Sequence, residues 1–130
     1  TLADLDDGLV LDFQAPPSAL HDAALNGEAV PLSIERGHVL LPPEHLRTGG
    51  NSLSLRFDAG SAPLNRRDDG VYTVLVPARA HELFPCFDQP DLKAGFSLTL
   101  VLPDDWEAVA NAPELQRRLE MGADGRQRLV

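Results

Sequence analysis

The sequence is poor in cysteine, in lysine and in long apolar runs. Cys86 is the only cysteine among 130 residues, so the chain can form no internal disulfide and no cysteine-based zinc cluster, and a stapled secreted mini-domain is excluded. Lys93 is the one lysine, and with ten arginines it faces 20 acidic side chains, for a formal net charge of −9. Such a chain lacks the clustered cations that displace counterions from a phosphate backbone or an anionic lipid surface, so neither nucleic acid nor a membrane is an expected partner. No apolar run approaches the ~20 residues of a membrane-spanning helix. Thr1-Leu2-Ala3-Asp4 shows neither the basic nor the apolar region of a targeting signal. What remains is 43% apolar residues in a length that suits one modest globular domain, here expected to span residues 1–130 and to rest on a packed core.

Alternation dominates the pattern. Leu9, Leu11 and Phe13 interleave with Val10, Asp12 and Gln14. Leu53, Leu55 and Phe57 interleave with polar neighbours, and Phe96, Leu98, Leu100 and Leu102 with Ser97, Thr99 and Val101. A period of two places one set of side chains on one face of a strand. Asn26-Gly27 reads as a tight hairpin turn, because both central positions need positive φ. Arg36-Gly37 reads as a second reversal, making residues 23–41 a meander that Pro42-Pro43 stops. Residues 59–70 lack apolar periodicity and read as a mobile surface loop, and residues 71–76 as a strand. Pro77 can open one or two helical turns over 77–83. Near the C-terminus, Gly122-Ala123-Asp124-Gly125 favours a hairpin over a helix. The fold class is therefore all-β: an antiparallel β-sandwich or saddle-like curved sheet, cut at one or both ends.

Candidate chemistry is sparse. His21, His38, His45 and His81 sit on different turns or strand ends, with no metal-ligand spacing. Asp6-Asp7-Gly8 and Asp68-Asp69-Gly70 lack the ligand series of a calcium loop and read as solvated turns. Cys86 lies between Phe84, Pro85 and Phe87, where burial raises a thiol pKa and suits a structural role rather than a nucleophile. In residues 84–94, Pro85 and Pro90 bracket a segment expected to hold Phe84, Cys86 and Phe87 against the core as a rigid plug. Asp88 or Asp91 would accept backbone N–H bonds there, with Lys93 neutralising one of them.

The run Phe84-Pro85-Cys86-Phe87-Asp88-Gln89-Pro90, followed by Lys93-Ala94 and a Phe96-led strand, resembles the N-terminal domain of the M1 (gluzincin) zinc aminopeptidases. Leu11-Asp12-Phe13, Leu25-Asn26-Gly27, residues 49–53, Tyr72-Thr73 and the residues 103–111 run extend the resemblance over nearly the whole chain. It implies a saddle of antiparallel strands that walls the substrate cleft and supports a downstream catalytic domain in the same polypeptide. It also implies zinc in the parent enzyme, held by a His-Glu-x-x-His helix and a distant Glu, and peptide substrates trimmed from their N-terminus. This chain lacks that motif. Its one His-Glu pair is His81-Glu82, and the position of the second ligand is Pro85, so no zinc and no activity are expected of these 130 residues alone. The family's amine-holding Gln or Glu, eight residues before the Phe-Pro pair, corresponds to Val76, and two earlier is Val74; neither accepts a hydrogen bond from an ammonium group. A free-standing interaction module and a non-peptidase relative remain alternatives. The arginine bias with high Ala, Leu and Asp points to a bacterial source and leaves cytoplasm or periplasm open. A cut sheet also exposes strand edges at which copies can pair.

Overall fold

The computed structural model describes residues 8–130; the Asp6-Asp7 turn lies outside them. Its Cα positions separate into two compact units, residues 1–93 and 94–130. No helix among the described residues is long and apolar enough to cross a membrane.

The first unit is built from two three-stranded sheets and a hairpin. Strand β1 (Leu9–Asp12) is followed by β2 (Leu20–Leu25), β3 (Glu28–Ala29), β4 (Ile34–Glu35), β5 (His38–Leu41) and β6 (Leu53–Phe57). One sheet has the order β1-β5-β4 and the other β3-β2-β6, all antiparallel. Both expected reversals are present: Asn26 and Gly27 take φ of 55° and 89°, and Arg36 and Gly37 take 51° and 82°. The left-handed turn matches the twist of the flanking strands, which is why these dipeptides sit there. The meander over 23–41 does not form as one sheet. Its two hairpins belong to different sheets, because Val30 is drawn into the core and Pro31, which has no N–H to donate, ends the ladder between them.

The inner faces of the two sheets share one core. Leu11, Val39, Leu41 and Ile34 come from the first, and Leu25 from the second with Ala23, Leu53, Leu55 and Phe57 packed against them. Phe13, fully buried, meets Phe57 edge to face with ring centroids 5.4 Å apart, the geometry that aromatic quadrupoles favour. The register of β2 against β6 shifts between Leu20 and Asp22. That irregularity re-phases the strand, so that Leu20 and Leu25, of opposite parity, both reach the core.

Residues 59–70 are not wholly loop. Leu64–Arg67 forms β7 and pairs with β8 (Gly70–Thr73) around an Asp68-Asp69 turn. Alternation fails to announce β7 because Asn65, Arg66 and Arg67 give it no apolar face. The strand expected through residue 76 ends at Thr73, and the helical turn over 77–83 shrinks to a single 3-10 turn at Ala80–Glu82.

In the second unit, β9 (Leu102–Pro103), β10 (Leu119–Met121) and β11 (Gln127–Leu129) form a sheet of order β10-β11-β9. The C-terminal hairpin expected around residues 122–125 is present. The long strand expected over 96–102 is not: only its last residue, Leu102, pairs. Leu98, Leu100 and Val101 stay exposed. Leu129 is the one buried apolar residue described in this unit.

Candidate functional site

The segment with the most distinctive sequence, residues 84–93, belongs to the first unit and is fastened to the end of β1. Asp12 and Cys86 form an antiparallel bridge, with Asp12 N–H donating to the Cys86 carbonyl at 2.8 Å and Cys86 N–H returning to the Asp12 carbonyl at 3.1 Å. Two residues on, Gln14 N–H donates to the His81 carbonyl at 2.9 Å.

Side chains reinforce this backbone pairing. The Asp12 carboxylate accepts at Oδ1 from His38 Nδ1, 3.1 Å away on the adjacent strand β5. At Oδ2 it accepts from the Asp88 backbone N–H at 3.3 Å and from Gln89 Nε2 at 3.2 Å. Asp88 Oδ2 in turn accepts from the His81 backbone N–H at 3.1 Å and from His81 Nδ1 at 2.6 Å. Burial pushes the Asp88 carboxyl up, but the hydrogen bonds and charge of His81, with a bond from the Ala80 backbone, outweigh it and hold the group below the usual carboxylate range.

The turn that leads into the segment is clamped by residues 60–62. Gly60 N–H donates to the Leu83 carbonyl at 3.0 Å, and a Cβ at Gly60 would strike the Glu82 carbonyl oxygen. Only glycine allows this approach. Arg79 ties the turn from outside, donating to Glu82 Oε2 and to the Ala62 carbonyl, each at 3.0 Å.

The structure therefore corrects the plug expected from sequence. Phe84, Pro85 and Cys86 are half-buried, but Phe87 is 41% exposed and faces water. The prolines bracket a fastened strap, because the polar anchors at Asp12 and His81 set its path. Asp88 does accept the expected backbone bond, yet its side-chain partner is His81; Lys93 is exposed, as are Gln89, Pro90 and Asp91. The Cys86 thiol is pushed up to about 11, by burial first and then by the Asp88 and Asp12 carboxylates, and it is unsuited to nucleophilic work at neutral pH. Val74 is 38% and Val76 74% exposed, and neither carries a polar side-chain atom.

Three of the four histidines are paired: His38 with Asp12, His81 with Asp88, and His21 Nε2 with Asp58 Oδ1 at 3.0 Å. The sequence shows no sign of these pairings, because the partners of Asp12 lie far along the chain and only the folded path joins them.

The donor set does not fit a zinc ion. Among the described residues no group of three or more His, Cys, Asp or Glu side chains is arranged to hold a metal. His81 is already committed to Asp88 through Nδ1, and Pro85 stands where a second histidine would be needed.

The peptidase M1 N-terminal domain family matches residues 64–127, a stretch that contains the whole strap from Phe84 to Lys93. Aminopeptidase N of Streptomyces lividans is 31% identical over 115 residues, covering 79% of this chain and 13% of its own length. Aminopeptidase Q of Mus musculus is 36% identical over 55 residues, covering 42% of this chain and 10% of the mouse protein. Aminopeptidase N of Bos taurus is 50% identical over 41 residues, covering 32% of this chain and 4% of the bovine one. The chain thus spans only a small part of the length of these relatives. No solved structure matches it.

Proposed function

The chain belongs to the peptidase M1 N-terminal domain family, and from that premise we propose that it is the non-catalytic N-terminal part of a larger zinc-dependent aminopeptidase. In this reading it walls the substrate cleft and supports a catalytic domain that follows in the same polypeptide, while the parent enzyme removes N-terminal residues from peptides. The zinc, and the His-Glu-x-x-His helix that holds it, belong to that other domain.

The observation that carries the reading is the coincidence of the family match with the strap. Residues 84–93 hold no catalytic donor set, yet every anchor that fixes their path is satisfied by another part of the same unit. That is the behaviour of a scaffold. Hydrophobic residues left facing water, Leu98, Leu100 and Val101 in the second unit and Val76 in the first, give a covering domain apolar surface to bury.

The test compares the 130-residue chain with a longer polypeptide in which it precedes a His-Glu-x-x-His domain. We expect the long form to bind zinc stoichiometrically and to cleave an aminoacyl chromogenic amide, and the short form to do neither. Stoichiometric zinc and turnover by the short form would refute the assignment. A second reading, a free-standing β-sandwich module that binds another protein through the same apolar residues, is separated by the gene: it requires translation to stop near Val130.

A further inference from the structure

We propose that the junction between β1 and the strap is a proton-operated latch, in which the ionised carboxylates of Asp12 and Asp88 hold residues 81–89 against β1 and release them on protonation. The proposal goes beyond the scaffold reading and stands independently of it.

The geometry sets out the parts. Asp12 and Asp88 are the two acceptors at the junction, and their side chains are only 22% and 15% exposed. Asp12 receives three hydrogen bonds, and Asp88 receives two from His81 besides one from the Ala80 backbone. A carboxylate offers about four acceptor sites, whereas the protonated acid gives one oxygen over to donation. Protonation therefore leaves donors on His81, Asp88 and Gln89 competing for fewer acceptors at a site with little water to replace them.

The two imidazoles act in the opposite sense. His38 and His81 each present Nδ1 to a carboxylate oxygen, at 3.1 and 2.6 Å. Protonating either ring turns a hydrogen bond to a carboxylate into an ion pair in which donor and acceptor are both charged, which strengthens it. As pH falls, imidazoles take up protons before carboxyls do, and the bonds from His81 hold the Asp88 carboxyl below its usual range. The fastening should thus tighten as pH falls through the imidazole range and open as it falls through the carboxyl range, a maximum rather than a slope.

From β1 comes Asp12, and from β5 His38, whose cross-strand neighbour on β4 is Glu35. The turn before the strap contributes His81 and also Glu82, which Arg79 engages. The strap contributes Asp88 and the Cys86 thiol, held protonated across this whole range. The third imidazole pair, His21–Asp58, is 40% and 75% exposed and lies on the other sheet, where solvent screens it.

The experiment is hydrogen exchange of the 130-residue chain between pH 3 and 8, with protection corrected for the intrinsic rate. Latch amides are those of Asp12, His81, Cys86 and Asp88, and reference amides are those of Asn26 and Val30 in the β2–β3 hairpin. Protection at the latch is expected to rise about 3-fold from pH 7.5 to 5.5 and, because the Asp88 carboxyl is held below its usual range, to fall more than about 10-fold only by pH 3, while the reference amides change by less than about 2-fold. His81→Gln should remove much of the rise and keep the fall, and Asp88→Asn should blunt the fall. Latch and reference amides moving in parallel in the unmodified chain would overturn the proposal, whether or not the variants fold. A folded Asp88→Asn chain with an unchanged profile would do the same.

Discussion

Asp12 and Cys86 exchange both of their backbone hydrogen bonds, so the C-terminal end of the first strand described in this chain is bridged by a segment from the far end of the same unit. The Asp12 side chain then accepts from His38, Asp88 and Gln89. Asp12→Ala strands three donors, and removing a shared acceptor from partly buried donors costs about 1–3 kcal/mol. The urea midpoint should fall accordingly. Asp12→Asn, which keeps one oxygen, should lose less.

The thiol of Cys86 lies at about 11 against an ordinary 9.0. A group raised on folding contributes stability that is complete below its unfolded pKa and is lost as pH climbs towards the folded one. Thermal stability should therefore decline between about pH 9 and 11, and Cys86→Ser should flatten that decline. At pH 7.5 the thiolate fraction is about 100-fold below that of an unshifted thiol, so alkylation of native protein should be slower by a similar factor and recover in denaturant.

Gly60 is fixed by the Glu82 carbonyl oxygen that any Cβ would strike. Gly60→Ala should lower stability by about 1–3 kcal/mol through forced displacement of backbone. Gly50, around which nothing lies within 4 Å of an added Cβ, makes the control: the same substitution there should change the midpoint little.

Phe13 is fully buried against Phe57. Phe13→Ala should cost about 3–5 kcal/mol, seen as a lower denaturation midpoint. Leu98, at 55% exposure, should behave otherwise. Leu98→Lys is expected to leave the melting temperature unchanged and to reduce self-association in sedimentation velocity, because residues 94–102 carry no side-chain charge after Lys93 to deter edge pairing.

Where the chain carries its own structural instruction, the sequence was readable. Leu11, Phe13, Leu53, Leu55 and Phe57 declare their faces by alternation, and Asn26-Gly27 and Arg36-Gly37 declare their turns. Non-local causes were silent. Nothing in Leu-His-Asp-Ala-Ala-Leu announces the register shift that lets both leucines of β2 inward. Nothing in Leu64–Arg67 shows a strand held by its backbone ladder and by the Arg67 guanidinium over the Tyr72 ring of β8. The pattern over 96–102 was correct as a pattern, but a strand also needs a neighbour and an opposing layer, and alternation specifies neither. At the site, the aromatic and proline residues of 84–90 were visible, while the fasteners Asp12, His38 and His81 were not, since each looks like an ordinary polar residue until its distant partner is known.

The bridge at Asp12 also has a bearing on synthesis. Translation delivers β1 early and Cys86 late, and domains begin to organise as they emerge. Until residues 81–89 clear the ribosome, the Asp12 end of β1 lacks its Cys86 bridge, and the nascent chain carries unpaired strand backbone there. Completion of the strap is therefore also the moment at which the newborn polypeptide loses a handle for mispairing with its neighbours.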